Sequence, residues 1–136
     1  LLVYLSLASN PHLRGPIPPS IYSLPSLKNL VLSSNALSGT LSSNISLLTG
    51  IVNLNLANNS LHGSIPPSLT AISSLEFLSL SHNKFTGRLP GFSRNLTQLR
   101  SLSLGFNRLH GVLSRCSPPW VYSLSEGHPE SYYHVH

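Results

Sequence analysis

One sixteen-residue phrase recurs through the sequence at a fixed interval. It is clearest at 75–90, LEFLSLSHNKFTGRLP, with one copy at 51–66 and another at 99–114. Two further copies lie at 27–42 and 2–18, and the copy at 2–18 contains one extra residue. A fixed period of this length is typical of a solenoid, in which each repeat stacks on its neighbours. The glycines keep the same interval, at Gly15, Gly39, Gly63, Gly87 and Gly111.

Each copy contains a short alternation of leucine with another residue, which predicts a strand. The two leucines of a strand point to one face, and burying one leucine contributes roughly 1.5–3 kcal/mol. A single repeat has nothing to bury that face against, so several must stack. We therefore predict an α/β solenoid, a right-handed superhelix of about five 24-residue repeats with a parallel sheet on its concave face. The predicted strands are 5–7, 30–32, 54–56, 78–80 and 102–104.

An asparagine follows each predicted strand. A chain that turns beside a buried core leaves backbone N–H and C=O groups without partners, and an inward-facing amide can serve both kinds. We interpret this column as structural. The glycine that follows in each copy is expected to supply a backbone shape that a side chain would obstruct. The column consists of Asn10, Asn35, Asn59, Asn83 and Asn107.

The repeat pattern stops after residue 113. We predict a solenoid over 1–113 and an irregular tail over 114–136, where Pro, Ser and His are frequent. Cys116 is the one cysteine, which excludes an internal disulfide. A chain that begins inside a repeat, without Met and without a cap, is expected to be a fragment.

Composition argues against catalysis. The sequence has no Asp, and its carboxylates are Glu76, Glu126 and Glu130. A nucleophile and base could be imagined in Cys116 and His110, but no third group supports them. We predict that the chain is not an enzyme and holds no cofactor. The tail histidines could bind a metal, but we interpret them as stray residues; they are His128, His134 and His136.

A net charge of +5 is compatible with a nucleic-acid partner. The cations do not form a run, and a solenoid is expected to scatter them over several faces, so we predict no nucleic-acid partner. The cations considered are Lys84, Arg88, Arg94, Arg100, Arg108 and Arg115.

The phrase L-x-x-L-x-L-x-x-N-x-L-x-G-x-I-P resembles the plant-specific class of leucine-rich repeats over residues 2–113, most closely at 59–66, NSLHGSIP. That class occurs in ectodomains of plant receptor-like kinases, in receptor-like proteins and in polygalacturonase-inhibiting proteins. The resemblance implies a second short strand near the Leu-x-Gly segment. The paired-cysteine caps usual in the class are missing here, and no membrane span or kinase segment is present.

By this resemblance, the chain would be a non-catalytic protein or peptide recognition module of a plant cell-surface receptor, with a role in signalling and defence. It would lie outside the cell or on the outer face of the plasma membrane, attached only through parts absent from this chain, and a co-receptor is a further partner to expect. Two alternatives stay open. One is a secreted inhibitor of a cell-wall-degrading enzyme, and the other is a truncated product with no independent role.

Three N-x-S/T sequons agree with an extracellular location. Two are expected on the outer side of the solenoid, where a glycan would be tolerated, and the middle one abuts the concave face. These candidate N-glycosylation sites are Asn44, Asn58 and Asn95.

The concave face of a curved solenoid is its usual binding surface. Strand residues that point away from the leucines line it, and exposed aromatic residues and Arg are the side chains that most often anchor interfaces. Ser and Asn at the other positions would favour hydrogen bonding to a peptide or glycan. The predicted partner-binding residues are Tyr4, Asn29, Val31, Asn53, Asn55, Phe77, His82, Arg100 and Phe106.

Overall fold

The computed structural model describes residues 1–92, 96–113, 121–122 and 133–135, with the backbone alone described at 112, 113 and the last two ranges. Each repeat contributes one strand from the predicted alternation, beginning one residue earlier than predicted, and one strand from the segment that follows. In chain order the strands are β1 (Tyr4–Ser6), β2 (Arg14–Gly15), β3 (Asn29–Val31), β4 (Ala36–Leu37), β5 (Asn53–Asn55), β6 (His62–Ser64), β7 (Phe77–Ser79), β8 (Lys84–Arg88), β9 (Ser101–Ser103), β10 (Arg108–Leu113), β11 (Val121–Tyr122) and β12 (Tyr133–Val135).

The odd-numbered strands form the first sheet, in the order β1-β3-β5-β7-β9-β11, and all neighbouring strands run parallel. The short strands β2 and β4 form a separate two-stranded parallel sheet. Corresponding leucines of successive repeats lie side by side, as Leu54 does with Leu78. A second parallel sheet has the order β12-β10-β8-β6. These features confirm the predicted solenoid with its parallel sheet and its second short strand.

Three of the repeats have a 3-10 turn on the side opposite the first sheet. These turns are Pro19–Ser23, Ser43–Leu47 and Pro67–Ala71. Two of these turns have proline at their first position, where its fixed φ suits a helical start and its missing N–H is not needed. In the other, the Ser42 side chain accepts a hydrogen bond from the Asn44 N–H. The helical part of this solenoid therefore consists of 3-10 turns in the part of the chain that the structure describes.

The core is a continuous column of leucine and isoleucine between the first sheet and the 3-10 turns. Leu54, Leu56 and Leu61 in the middle repeat are 0% exposed. In the first repeat Leu5 is half-buried and Leu7 is 40% exposed, because β1 forms the edge of its sheet. Burial of the leucine face thus depends on having a repeat on both sides.

The asparagine column links successive repeats through their backbones. The Asn83 Oδ1 accepts a hydrogen bond from the Leu61 N–H at 3.0 Å. Its Nδ2 donates to the carbonyl oxygens of Leu56, at 2.9 Å, and Leu80, at 3.2 Å. One amide therefore satisfies groups of its own repeat and of the repeat before it. The same pattern is found at Asn59 and Asn107. At Asn35 the Nδ2 donates likewise, but the Oδ1 accepts from the Asn10 N–H.

Two short strands lie in the segment predicted as an irregular tail. β11 adds to the first sheet beside β9, and β12 adds to the second sheet beside β10. These two strands depart from the irregular structure predicted there, because free backbone groups at the edge of a parallel sheet can pair with a segment that lacks the repeat's leucines. The boundary at residue 113 stays a prediction.

Candidate binding face

The register of the first sheet arranges the predicted binding residues in columns. One column contains Tyr4, Asn29, Asn53 and Phe77 and ends at Ser101, each paired with the next across neighbouring strands. The adjacent column places Val31 beside Asn55. Since these residues alternate with the buried leucines, their side chains point away from the core. We call the surface formed by both columns, together with His82 and Phe106, the concave face.

Exposed aromatic rings lie at both ends of a polar stretch on this face. Tyr4 is 59% exposed and Phe77 is 45% exposed, while Asn29 and Asn53 between them are half-buried. Three strand spacings separate Tyr4 from Phe77, which corresponds to about 14 Å. Tyr4 therefore lies apart from Phe77 and from the predicted binding residues of the later repeats.

His82 and Phe106 lie at the same position of successive repeats and stack on each other, with ring centroids 4.0 Å apart and planes inclined by 14°. Both have positive backbone φ angles, of 54° and 56°. The left-handed backbone costs a residue with a Cβ roughly 1–2 kcal/mol. The same conformation occurs at the corresponding residues Ser9, Ser34 and Asn58, so the scaffold imposes it, and two of the five positions present aromatic rings.

Arg100 forms an ion pair that was not predicted from the sequence. Its Nε lies 3.1 Å from the Glu76 Oε2, and the two side chains are 65% and 32% exposed. Pairs this exposed contribute about 0.2–1 kcal/mol. The sequence contains a signal for this pair, because Glu76 and Arg100 are separated by one repeat interval and therefore lie at the same position of successive repeats. Part of the charge of Arg100 is therefore already neutralised on the protein.

The candidate glycosylation sites differ in their surroundings. Asn44 is exposed on a 3-10 turn, opposite the first sheet. Asn58 is exposed next to the concave face and has a φ of 54°. Asn95 lies outside the described residues.

The cations considered for nucleic acid are less scattered than predicted. Lys84, Arg88 and Arg108 all lie exposed on the second sheet, on the adjacent strands β8 and β10. Arg94 and Arg115 lie outside the described residues. The prediction of scatter is wrong for Lys84, Arg88 and Arg108, because two adjacent strands of the second sheet carry all three.

The structure adds little to the catalytic and metal candidates. Cys116, Glu126, Glu130, His128 and His136 lie outside the described residues, and only the backbone of His134 is described. Among the described residues, no three His, Cys, Asp or Glu side chains gather as metal ligands would. No helix within the described ranges has the length and apolarity needed to cross a membrane.

Comparisons with known proteins agree with this architecture. Models of leucine-rich repeats match residues 26–48, 50–72 and 73–114. A comparison with curated proteins found no significant match.

Solved structures of plant proteins are similar to the chain. The PEPR1–AtPEP1 complex has a TM-score of 0.77 at 39% identity, covering 82% of this chain and 16% of that one. The Arabidopsis receptor kinase HAESA, in complex with the peptide hormone IDA and the co-receptor SERK1, has a TM-score of 0.69 at 42% identity, covering 74% and 17%. A plant ice-binding protein has a TM-score of 0.78 at 37% identity, covering 82% and 36%.

The chain thus spans less than two fifths of the length of each of these three structures. The matched residues cover four of the repeats, and the parallel sheet and the asparagine column extend through all four and into the first repeat. The chain belongs to the leucine-rich repeat family, and its repeats are similar to those of plant receptor kinase ectodomains.

Proposed function

We propose that this chain is a non-catalytic recognition module that binds an extended peptide or protein segment along its concave face. The module belongs to the extracellular part of a larger plasma-membrane receptor, and a co-receptor is a further partner. The observation that carries this proposal is the column from Tyr4 to Phe77, in which exposed aromatic rings lie at the two ends of a half-buried pair of asparagines.

The chemistry of this column suits an extended peptide. The asparagine amides of Asn29 and Asn53 offer donors and acceptors to a peptide backbone, and the rings of Tyr4 and Phe77 offer apolar contact area. The column from Tyr4 to Ser101 crosses four strand spacings, about 19 Å. An extended peptide of about six residues covers this distance.

The similar structures support the same class of partner. PEPR1 was solved with AtPEP1, RGFR1 with RGF2 as a plant peptide hormone receptor, and HAESA with the hormone IDA. The ice-binding protein shares the fold at comparable identity. Similarity of fold alone therefore does not distinguish peptide binding from other functions. The proposal of peptide binding depends on the exposed rings of the concave face.

A displayed library of linear peptides, selected on the immobilised full chain, tests the proposal. Affinities of selected peptides are then measured by calorimetry for Phe77→Ala, with Leu47→Ala as the matched control. Leu47 is also an exposed apolar residue, 56% exposed, but lies on a 3-10 turn opposite the first sheet. We expect Phe77→Ala to weaken binding about tenfold and Leu47→Ala to leave it unchanged. Equal effects of the two variants would refute binding at the concave face.

A further inference from the structure

The second sheet presents a face with a different chemistry from the concave face. Along β8 the exposed residues are Lys84, Thr86 and Arg88, and they alternate with buried Phe85 and half-buried Gly87. The same alternation exposes Arg108 and His110 on β10, and His62 and Ser64 on β6. These outward positions form one continuous surface, which we call the basic face: His62, Ser64, Lys84, Thr86, Arg88, Arg108 and His110.

The register brings the cations of the basic face together. Arg108 pairs with Thr86, between Lys84 and Arg88 on the neighbouring strand, and His110 pairs with Arg88. Adjacent strands are about 4.8 Å apart, and four residues along a strand span about 13 Å. Three fixed positive charges therefore lie within a patch about the size of a short peptide.

No described carboxylate neutralises this patch. Among the residues whose side chains the structure describes, Glu76 is the one acidic residue, and it is paired with Arg100, each immediately before a strand of the first sheet. Arg108 lies diagonally from Lys84 and Arg88, and like charges at such short range repel each other. An anionic partner would relieve that repulsion.

The basic face is also free of apolar anchors. Its outward side chains are histidine, serine, lysine, threonine and arginine. Interfaces that depend on apolar burial have aromatic or aliphatic residues at their centre, and single-stranded nucleic acids are bound with aromatic rings that stack on the bases. Recognition here depends on charge and hydrogen bonds over a short distance.

We propose that the basic face binds an extended acidic segment of a partner protein, lying along β8. Alternate side chains of an extended chain project to the same side about 7 Å apart. Carboxylates at positions i and i+4 would meet Lys84 and Arg88. A carboxylate at i+2 would meet Arg108, whose guanidinium can bind it in a bidentate manner, and the Thr86 hydroxyl. This site is separate from the concave face and does not depend on the function proposed there.

The test uses the full chain and a fluorescent seven-residue peptide alternating Glu and Ser, with binding followed by anisotropy at low salt. Variants Arg88→Gln and Arg108→Gln are compared with Arg14→Gln, which removes an exposed cation from β2, outside the basic face. We expect the first two each to weaken binding roughly fivefold and Arg14→Gln to have no effect. Because these side chains are exposed, the substitutions should leave the fold intact, and circular dichroism checks this.

Three results would overturn the proposal: no binding of the peptide, an equal loss in all three variants, or tighter binding of a polyuronate or an oligonucleotide through the same residues. The last would assign the basic face to another polyanion. A second peptide with the same number of glutamates placed consecutively tests whether the alternate spacing of the carboxylates matters. The alternating peptide should bind more tightly, and equal affinity would contradict the alignment with β8.

Discussion

The ring of His82 lies flat against the ring of Phe106, with centroids 4.0 Å apart. Both residues have left-handed backbone conformations, and the His82 N–H donates to the Gly105 carbonyl oxygen at 2.9 Å. This hydrogen bond continues the ladder between repeats beyond β7 and β9. The backbone therefore holds the two rings in fixed positions at the edge of the concave face.

Because of this contact, we expect His82 and Phe106 to be energetically coupled. Single His82→Ala and Phe106→Ala variants and the double variant keep a Cβ at each left-handed position, so backbone strain is similar in all of them. A double-mutant cycle from urea unfolding should give a coupling free energy of about 0.5–1.5 kcal/mol. Additive effects would show that the stack contributes nothing to stability.

The asparagine column predicts a difference between the middle and the edge of the solenoid. Asn83→Ala leaves the buried Leu61 N–H without a partner and removes one of the two amide hydrogen bonds to each of the Leu56 and Leu80 carbonyl oxygens. An unpaired buried group costs about 1–3 kcal/mol. The side chain of the exposed Asn10 donates only to the Leu7 and Ala8 carbonyl oxygens of its own repeat, and its substitution should cost less than about 1 kcal/mol. Chemical denaturation of both variants measures the difference, and equal losses would contradict a structural role for the column.

Gly63 combines a positive φ with a close contact. Its φ is 79°, and a Cβ placed on it would lie 3.0 Å from the Thr40 Cγ2. Gly87, with a φ of 84°, would bring its Cβ only to 3.7 Å from the Ser64 Cβ. Gly87→Ala should cost about 1–2 kcal/mol from backbone strain alone, and Gly63→Ala should cost more.

The added variant Thr40→Ser removes the clashing methyl group and should restore part of the stability lost in Gly63→Ala. Midpoints of thermal unfolding for the single and double variants measure this effect. A double variant no more stable than Gly63→Ala would show that the contact is not the cause.

Burial raises the pKa of the Tyr22 hydroxyl, and a hydrogen bond from the Ser42 backbone partly offsets this. The neutral phenol is therefore favoured in the folded state. Its contribution to stability is complete below the unfolded-state pKa of about 10 and is lost as the pH rises through the folded-state value. Tyr22→Phe should flatten the decline in unfolding free energy above pH 10, measured by urea unfolding. An unchanged slope would show that Tyr22 does not cause the decline.

The repeat interval predicts the first sheet well because each leucine packs against its own copy. Asn29 pairs with Asn53, its counterpart in the next repeat, so counting by the repeat interval reproduces the columns of the concave face. The second sheet has another register, in which His62 pairs with Lys84 and Arg88 with His110, and both separations are shorter than the repeat interval. Counting by the repeat interval would place Arg108 beside Lys84, whereas the observed register places it beside Thr86, between Lys84 and Arg88.

The residue types at the left-handed positions also do not predict their backbone conformation well. Among them, Asn58 is the residue type that adopts this conformation readily, whereas Phe106 has no such preference. The conformation follows from hydrogen bonds between repeats. Likewise, the strands at Val121–Tyr122 and Tyr133–Val135 depend on pairing with β9 and β10 and have no leucine pattern of their own.

Photo-crosslinking of a selected peptide to the full chain tests the central claim, that the concave face is the binding surface. A benzophenone amino acid is placed at position 77 in one sample and at position 47 in the other, and crosslinked product is quantified by mass spectrometry. We predict efficient crosslinking from position 77 that excess unlabelled peptide abolishes, and only background from position 47. Equal or stronger crosslinking from position 47 would place the peptide opposite the first sheet and contradict the proposed function.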